Sequence, residues 1–161
     1  MKTRSERARE LFRSGYNCCQ SVIGAYADEL GISFETCMLL SSAFGGGMGR
    51  LREVCGTVSA MFMILGLKEG YTLPEDKETK RKNYETAQNL ANKFKAENGS
   101  IICRELLGKG KGSDTPIPSE RTAEYYSTRP CERLVGYAAG LIEEYLSNGA
   151  SIFDSDVQKS K

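Results

Sequence analysis

Along most of the chain, apolar residues recur at i, i+3, i+4 and i+7, and few segments alternate apolar with polar positions as a half-buried strand does. The pattern predicts an all-α fold. A first helix is expected from Thr3 to Arg13, closing at Gly15. The second is expected over NCCQSVIGAYADELG, where Asn17 caps, Gln20 completes a capping box three residues later, and Gly31 ends the helix. Ser33 is placed to cap a third, SFETCMLLSSAF. The most apolar stretch, Val54 to Leu67, lacks a polar face of ordinary width, which predicts a central helix with the others packed around it.

Pro74 is expected to open a long charged helix whose apolar marks, Tyr84, Ala87, Leu90, Ala91 and Phe94, form a narrow stripe; its basic run from Lys77 to Lys82 reads as a solvated face. SIICRELLG reads as a short helix capped by Ser100 and stopped by Gly108. The following KGKGSDTPIPSERTAEYYST favours a loop, and its length marks it as a lid or partner-binding segment. Pro130 is expected as the first residue of the last helix, PCERLVGYAAGLIEEYL. The expected organisation is a single helical domain over residues 1–147 with a flexible polar tail over 148–161.

Composition narrows the function. A chain of 161 residues can bury one core without a metal or disulfide to hold it together. Its net charge of +1 gives no global field for nucleic acid or an anionic membrane. The charged start MKTRSERARELFRSGYN lacks the apolar core of a secretory signal, and no run approaches the roughly 18 apolar residues that span a bilayer. A cytoplasmic location is expected, and there cysteines serve as metal ligands or redox groups more often than as permanent cross-links. Histidine is absent altogether. That removes the usual general base, the Cys-His nucleophile pair and every histidine-containing zinc or iron site.

Chemistry is therefore left to cysteine, and four of the six cysteines fall where helices are expected to begin. Cys18 follows the cap Asn17, Cys55 lies where a glycine loop enters the central helix, Cys103 is three residues after Ser100, and Cys131 follows Pro130. At such positions free backbone N–H groups and the helix dipole stabilise a thiolate. Cys19 is a vicinal neighbour of Cys18, and Cys37 reads as packing. No pair is spaced C-x-x-C, so any site must be assembled in three dimensions.

The glycine loop FGGGMGRLREVCG completes neither a dinucleotide fingerprint nor a phosphate-binding loop. Gly46, Gly47, Gly49 and Gly56 are expected instead to let backbone approach a thiolate or cofactor near Cys55. Arg50 and Arg52 are the local cations, suited to a small anion or an acidic partner surface.

At these residues the chain resembles the C_GCAxxG_C_C family of redox-active proteins, small proteins with four characteristic cysteines and a C-G-A-x-x-G motif. The resemblance runs from GYNCCQSV through FGGGMGRLREVCGTVSAMFMILGLKEG and CRELLG to CERLV, and it carries the family cysteines onto Cys18, Cys55, Cys103 and Cys131. CGTVSA departs from the motif, with Thr57 for the alanine and Ala60 for the final glycine.

Three functions remain open. The first is thiol–disulfide or electron-transfer chemistry by the four cysteines with a redox partner protein. The second is a cysteine-only centre that binds zinc or an iron–sulfur cluster through the same four residues. The third is a non-catalytic helical interaction module, a homodimer in one form, whose cysteines only pack.

Overall fold

The computed structural model describes residues 1–159, and side chains through residue 154. Eight α-helices carry the fold, and among the described residues there is no β-strand. They are α1 (Arg4–Arg13), α2 (Cys18–Gly24), α3 (Phe34–Ser41), α4 (Gly56–Glu69), α5 (Lys77–Asn98), α6 (Cys103–Leu106), α7 (Ala123–Thr128) and α8 (Cys131–Asn148). No helix among the described residues is long and apolar enough to cross a membrane.

Helix α4 is central. Eight of its residues are buried, and Val58, Ala60, Met61 and Ile64 have no exposed surface. Each large aliphatic side chain so buried contributes about 1.5–3 kcal/mol. Around α4 pack α2, α5 and α8, and α1 lies along α8, the first helix against the last. Tyr26 ties α2's exit to α8: its buried hydroxyl donates to the Ala139 carbonyl at 2.7 Å.

Several boundaries differ from the sequence expectation. The second helix stops at Gly24 and continues to Leu30 as turns: the Tyr26 and Ala27 amides donate to the Ile23 and Gly24 carbonyls, three residues back rather than four, and Arg4 Nη1 takes the Ala25 carbonyl at 2.6 Å. The central helix starts at Gly56, since Val54 is engaged in an isolated antiparallel bridge with Ile102. Asp76, whose carboxylate accepts from the Thr79 amide, sets the start of α5 at Lys77, after Pro74. Ser100 supports the turn before α6 by accepting from Ile102 N, and the helix itself begins at Cys103. Pro130 is the cap residue of α8 and Cys131 its first helical residue. The segment read as one loop contains α7, capped by Thr122. Beyond α8 a 3-10 turn begins at Gly149, with Ile152 buried and Phe153 stacked on Tyr145; the last two residues of the tail expected from 148 lie outside the described residues.

Candidate functional site: a cavity lined by cysteines

Each of the four cysteines begins a helix. Cys18, Cys103 and Cys131 are the first residues of α2, α6 and α8, and Cys55 caps α4. All four line one cavity of about 290 Å³. Cys55 and Cys103 are brought there by an antiparallel clasp in which Cys55 N donates to Ile101 O at 2.8 Å and Cys103 N to Glu53 O at 2.6 Å. Cys18 is fixed by a capping box between Asn17 and Gln20, and Asn17 Nδ2 reaches the Ser42 carbonyl at 3.1 Å. All six cysteines are free thiols.

The glycine loop forms a wall of this cavity. From Gly46 the backbone turns left-handed repeatedly: Gly46 and Gly47 at φ 68°, Met48 at 66°, Gly49 at 61°, Arg50 at 67° and Arg52 at 60°. The non-glycine residues each cost about 1–2 kcal/mol in that region, offset at Arg50 and Arg52 by anchors from their own side chains. Arg50 Nε donates to Thr115 O at 2.6 Å, and Arg52, only 2% exposed, donates from Nε to Asp114 Oδ2 at 2.8 Å. The loop approaches Cys18 and Cys103 rather than Cys55, which corrects the sequence expectation. The amides of Gly46, Cys19 and Gly56 favour the Cys18 thiolate. A β-carbon on Gly47 would stand 2.5 Å from Cys103 Cβ. Gly46, Gly49 and Gly56 line the cavity, whereas Gly47 is buried behind it.

Polar partners differ among the sulfurs. Arg52 Nη1 lies 3.5 Å from Cys103 Sγ, and the Cys55 sulfur is 3.1 Å from the hydroxyl of Thr57, the residue that departs from the C-G-A-x-x-G motif. For Cys18, Cys55 and Cys131 the expectation that a helix start lowers the thiol does not hold. Burial pushes the Cys18 thiol up despite its three amide donors, and it pushes Cys55 up, reinforced by the neighbouring Cys18. Cys131 is pushed up to about 12 by burial and by negative charge on Cys18 and Cys103. Desolvation outweighs the dipoles here, and α2 and α6 are too short to carry a full macrodipole. Burial also raises Cys19, which senses Cys18 and Cys55, and Cys37, which senses no other cysteine.

These directions give a pH prediction. An unfolded thiol ionises near pH 8.5, while the folded chain holds the protons of Cys18, Cys55 and Cys131 to higher pH. Their stabilising contribution is complete below about pH 8.5 and is lost as pH rises toward about 12. The urea midpoint of reduced protein is therefore expected to fall between pH 8 and 10, and Cys131→Ser should make that fall shallower; a midpoint flat over this range in the wild-type chain contradicts the burial argument.

Sequence reading missed the opposite wall. It comes from the segment read as a loop, from α7 and from the residue that caps its end: Ser119, Arg121, Tyr125 and Arg129 line the cavity. Arg121 lies 4.5 Å from the Phe12 ring centre and donates to the carbonyls of Phe12 and Tyr16. Arg129 stacks 4.4 Å from the Tyr125 ring. Arginine interleaved with tyrosine in SERTAEYYSTR was the available signal. Glu53 and Arg104, beside the site in sequence, pair with each other at 2.7 Å and do not line the cavity. Among the described residues no group of three or more Cys, Asp or Glu side chains is arranged to hold a metal ion.

Fold and site together define an all-α protein whose free thiols, drawn from four separate helix starts, share one interior cavity. A family model described as "Putative redox-active protein (C_GCAxxG_C_C)" matches residues 16–145, and the chain belongs to that family. The matched span includes all four cavity cysteines. No curated protein and no solved structure matches the chain.

Proposed function

We propose that the protein is a thiol–disulfide redox protein in which Cys18, Cys55, Cys103 and Cys131 cycle between thiol and disulfide within the cavity, in a reducing, cytoplasmic setting. The observation that carries this reading is their common lining of one cavity, close enough that charge on Cys18 and Cys103 bears on the other sulfurs. Oxidation of a pair removes two electrons and two protons, and the incoming disulfide leaves as two thiols. The raised thiols of Cys18, Cys55 and Cys131 are slow nucleophiles at neutral pH and react faster as pH rises. Cys37 takes no part.

Mass spectrometry of differentially alkylated protein, after a mild disulfide oxidant and after reductant, tests this. Disulfides are expected within the set of four, reversibly, with Cys37 remaining a thiol. Protein that forms no disulfide within the set, and instead retains stoichiometric zinc or iron when prepared anaerobically, replaces the redox reading with a four-thiolate metal centre.

A further inference from the structure

Arg50, Arg52, Arg121 and Arg129 line the cysteine cavity, and among the described residues no carboxylate lines it. Asp114 stands behind the wall, 2.7 Å from Arg52 Nη2, 3.6 Å from Arg50 Nη2 and 2.8 Å from Lys109 Nζ. Lys109 and Arg52 hold its carboxyl down at about 2. One carboxylate thus stands against four cavity guanidiniums, in surroundings that screen charge poorly.

Compensation is weakest around Ser119. Its hydroxyl oxygen accepts from Arg50 Nη1 at 3.1 Å and from Arg129 Nη2 at 3.4 Å. A neutral hydroxyl cannot offset two like charges, whereas a carboxylate in the same place offers oxygens to both guanidinium forks. Arg129 is otherwise met by the Tyr125 ring, and among the described residues it has no carboxylate partner. The cavity, about 290 Å³, is near the small end of ligand pockets. That volume suits a small molecule better than a segment of protein.

We propose that the cavity receives a low-molecular-weight disulfide bearing carboxylate groups, held by Arg50 and Arg129 about Ser119 so that its S–S bond meets the cysteine set. The inference rests on the thiol–disulfide reading above and names its substrate class. One cavity thiolate attacks a substrate sulfur; a mixed disulfide forms, the substrate S–S bond breaks, and the first substrate thiolate departs and takes up a proton. A second cavity cysteine, giving up its proton, attacks the mixed disulfide and expels the second thiolate. Two cysteine thiols are oxidised to one protein disulfide, and one substrate disulfide is reduced to two thiols.

The test compares oxidation of the reduced full chain by 3,3′-dithiodipropionate, bis(2-hydroxyethyl) disulfide and cystamine, which are anionic, neutral and cationic. Each rate is divided by that for a small free thiol. The anionic disulfide is expected to exceed the neutral one by about tenfold or more, the cationic one to be slowest, and the preference to shrink with added salt. Arg129→Gln should cut the anionic-to-neutral ratio by about tenfold. Arg129→Lys should restore part of it, with thermal midpoints checking that each variant folds. A wild-type ratio near one, or a ratio that Arg129→Gln leaves unmoved, overturns the anion site while the thiol–disulfide reading stands. Should none of the three oxidise the cysteines, the redox reading and the disulfide substrate fail together, and octanedioate, with CH2–CH2 in place of S–S, decides the anion site alone. Protection of cavity cysteines from iodoacetamide by octanedioate, lost in Arg129→Gln, upholds that site; no protection removes it.

Discussion

Gly47→Ala is expected to lower stability by about 3 kcal/mol, a fall of roughly 6–12 °C in Tm for a chain of this size, measured by the loss of helical circular dichroism on heating. Two effects add. The backbone at Gly47 is left-handed at φ 68°, and an added β-carbon meets Cys103 Cβ at 2.5 Å, Arg52 Cα at 3.0 Å and Glu53 N at 3.0 Å. Two of these neighbours are backbone atoms of the strand-like clasp, which cannot swing aside. Gly49→Ala separates the effects: its φ is 61°, but the nearest atom to a β-carbon there is Ala43 O at 3.7 Å. It should cost only about 1 kcal/mol. Equal losses for the two variants mean that the close approach to Cys103 is not what the glycine provides.

Gly56→Ala has the second largest expected effect and strikes the cavity from the other side. Its β-carbon falls 2.5 Å from Cys18 Sγ, 2.8 Å from Phe44 O and 3.2 Å from Cys19 Cβ, so α2 must move away from α4. A loss of about 2–3 kcal/mol is expected. The move also opens Cys18 to water and relieves the burial that raises its thiol, which outweighs the loss of the Gly56 amide, so alkylation of Cys18 by iodoacetamide in native buffer should accelerate markedly. Gly66 in the same helix is the control. Nothing lies within 4 Å of its β-carbon position, and Gly66→Ala should stabilise by about 0.5–1 kcal/mol through helix propensity. If Gly56→Ala leaves both Tm and Cys18 alkylation unchanged, the tight seat of Cys18 against α4 is not present in solution.

The helical class and the central place of Val54 to Leu67 were legible because a stretch without a polar face has to be buried. The caps Asn17 and Ser33 were legible for a local reason: each needs only a side-chain oxygen and an amide three residues on. What sequence could not show depends on partners distant along the chain. Beyond Gly24 the amides turn to carbonyls three residues back and Arg4 takes the Ala25 carbonyl, and no periodicity within the helix records that. The glycine loop was assigned to Cys55 by adjacency, whereas folding delivers it to Cys18 and Cys103, one earlier in the chain and one later. The arginine wall was hidden for the same reason. Arg50 and Arg129 lie far apart in sequence and share a single hydroxyl in space. Helix starts marked the four cysteines as a set, yet the inference from dipole to acidic thiol failed, because spacing along a chain carries no measure of desolvation.

The pairing of α1 with α8 also has a consequence for biosynthesis. A chain made from its N-terminus presents Cys18, Cys55 and Cys103 well before Leu134, Val135 and Ala138 emerge to cover them. Until that last helix docks, Phe12 and Tyr26 lack part of their cover and three thiols meet the surrounding medium unshielded. On the ribosome, accordingly, these sulfurs ionise as ordinary thiols and are open to premature cross-linking. Newly made protein is thus most open to cross-linking before α8 emerges, and the fold takes over the protection of these sulfurs once that helix docks.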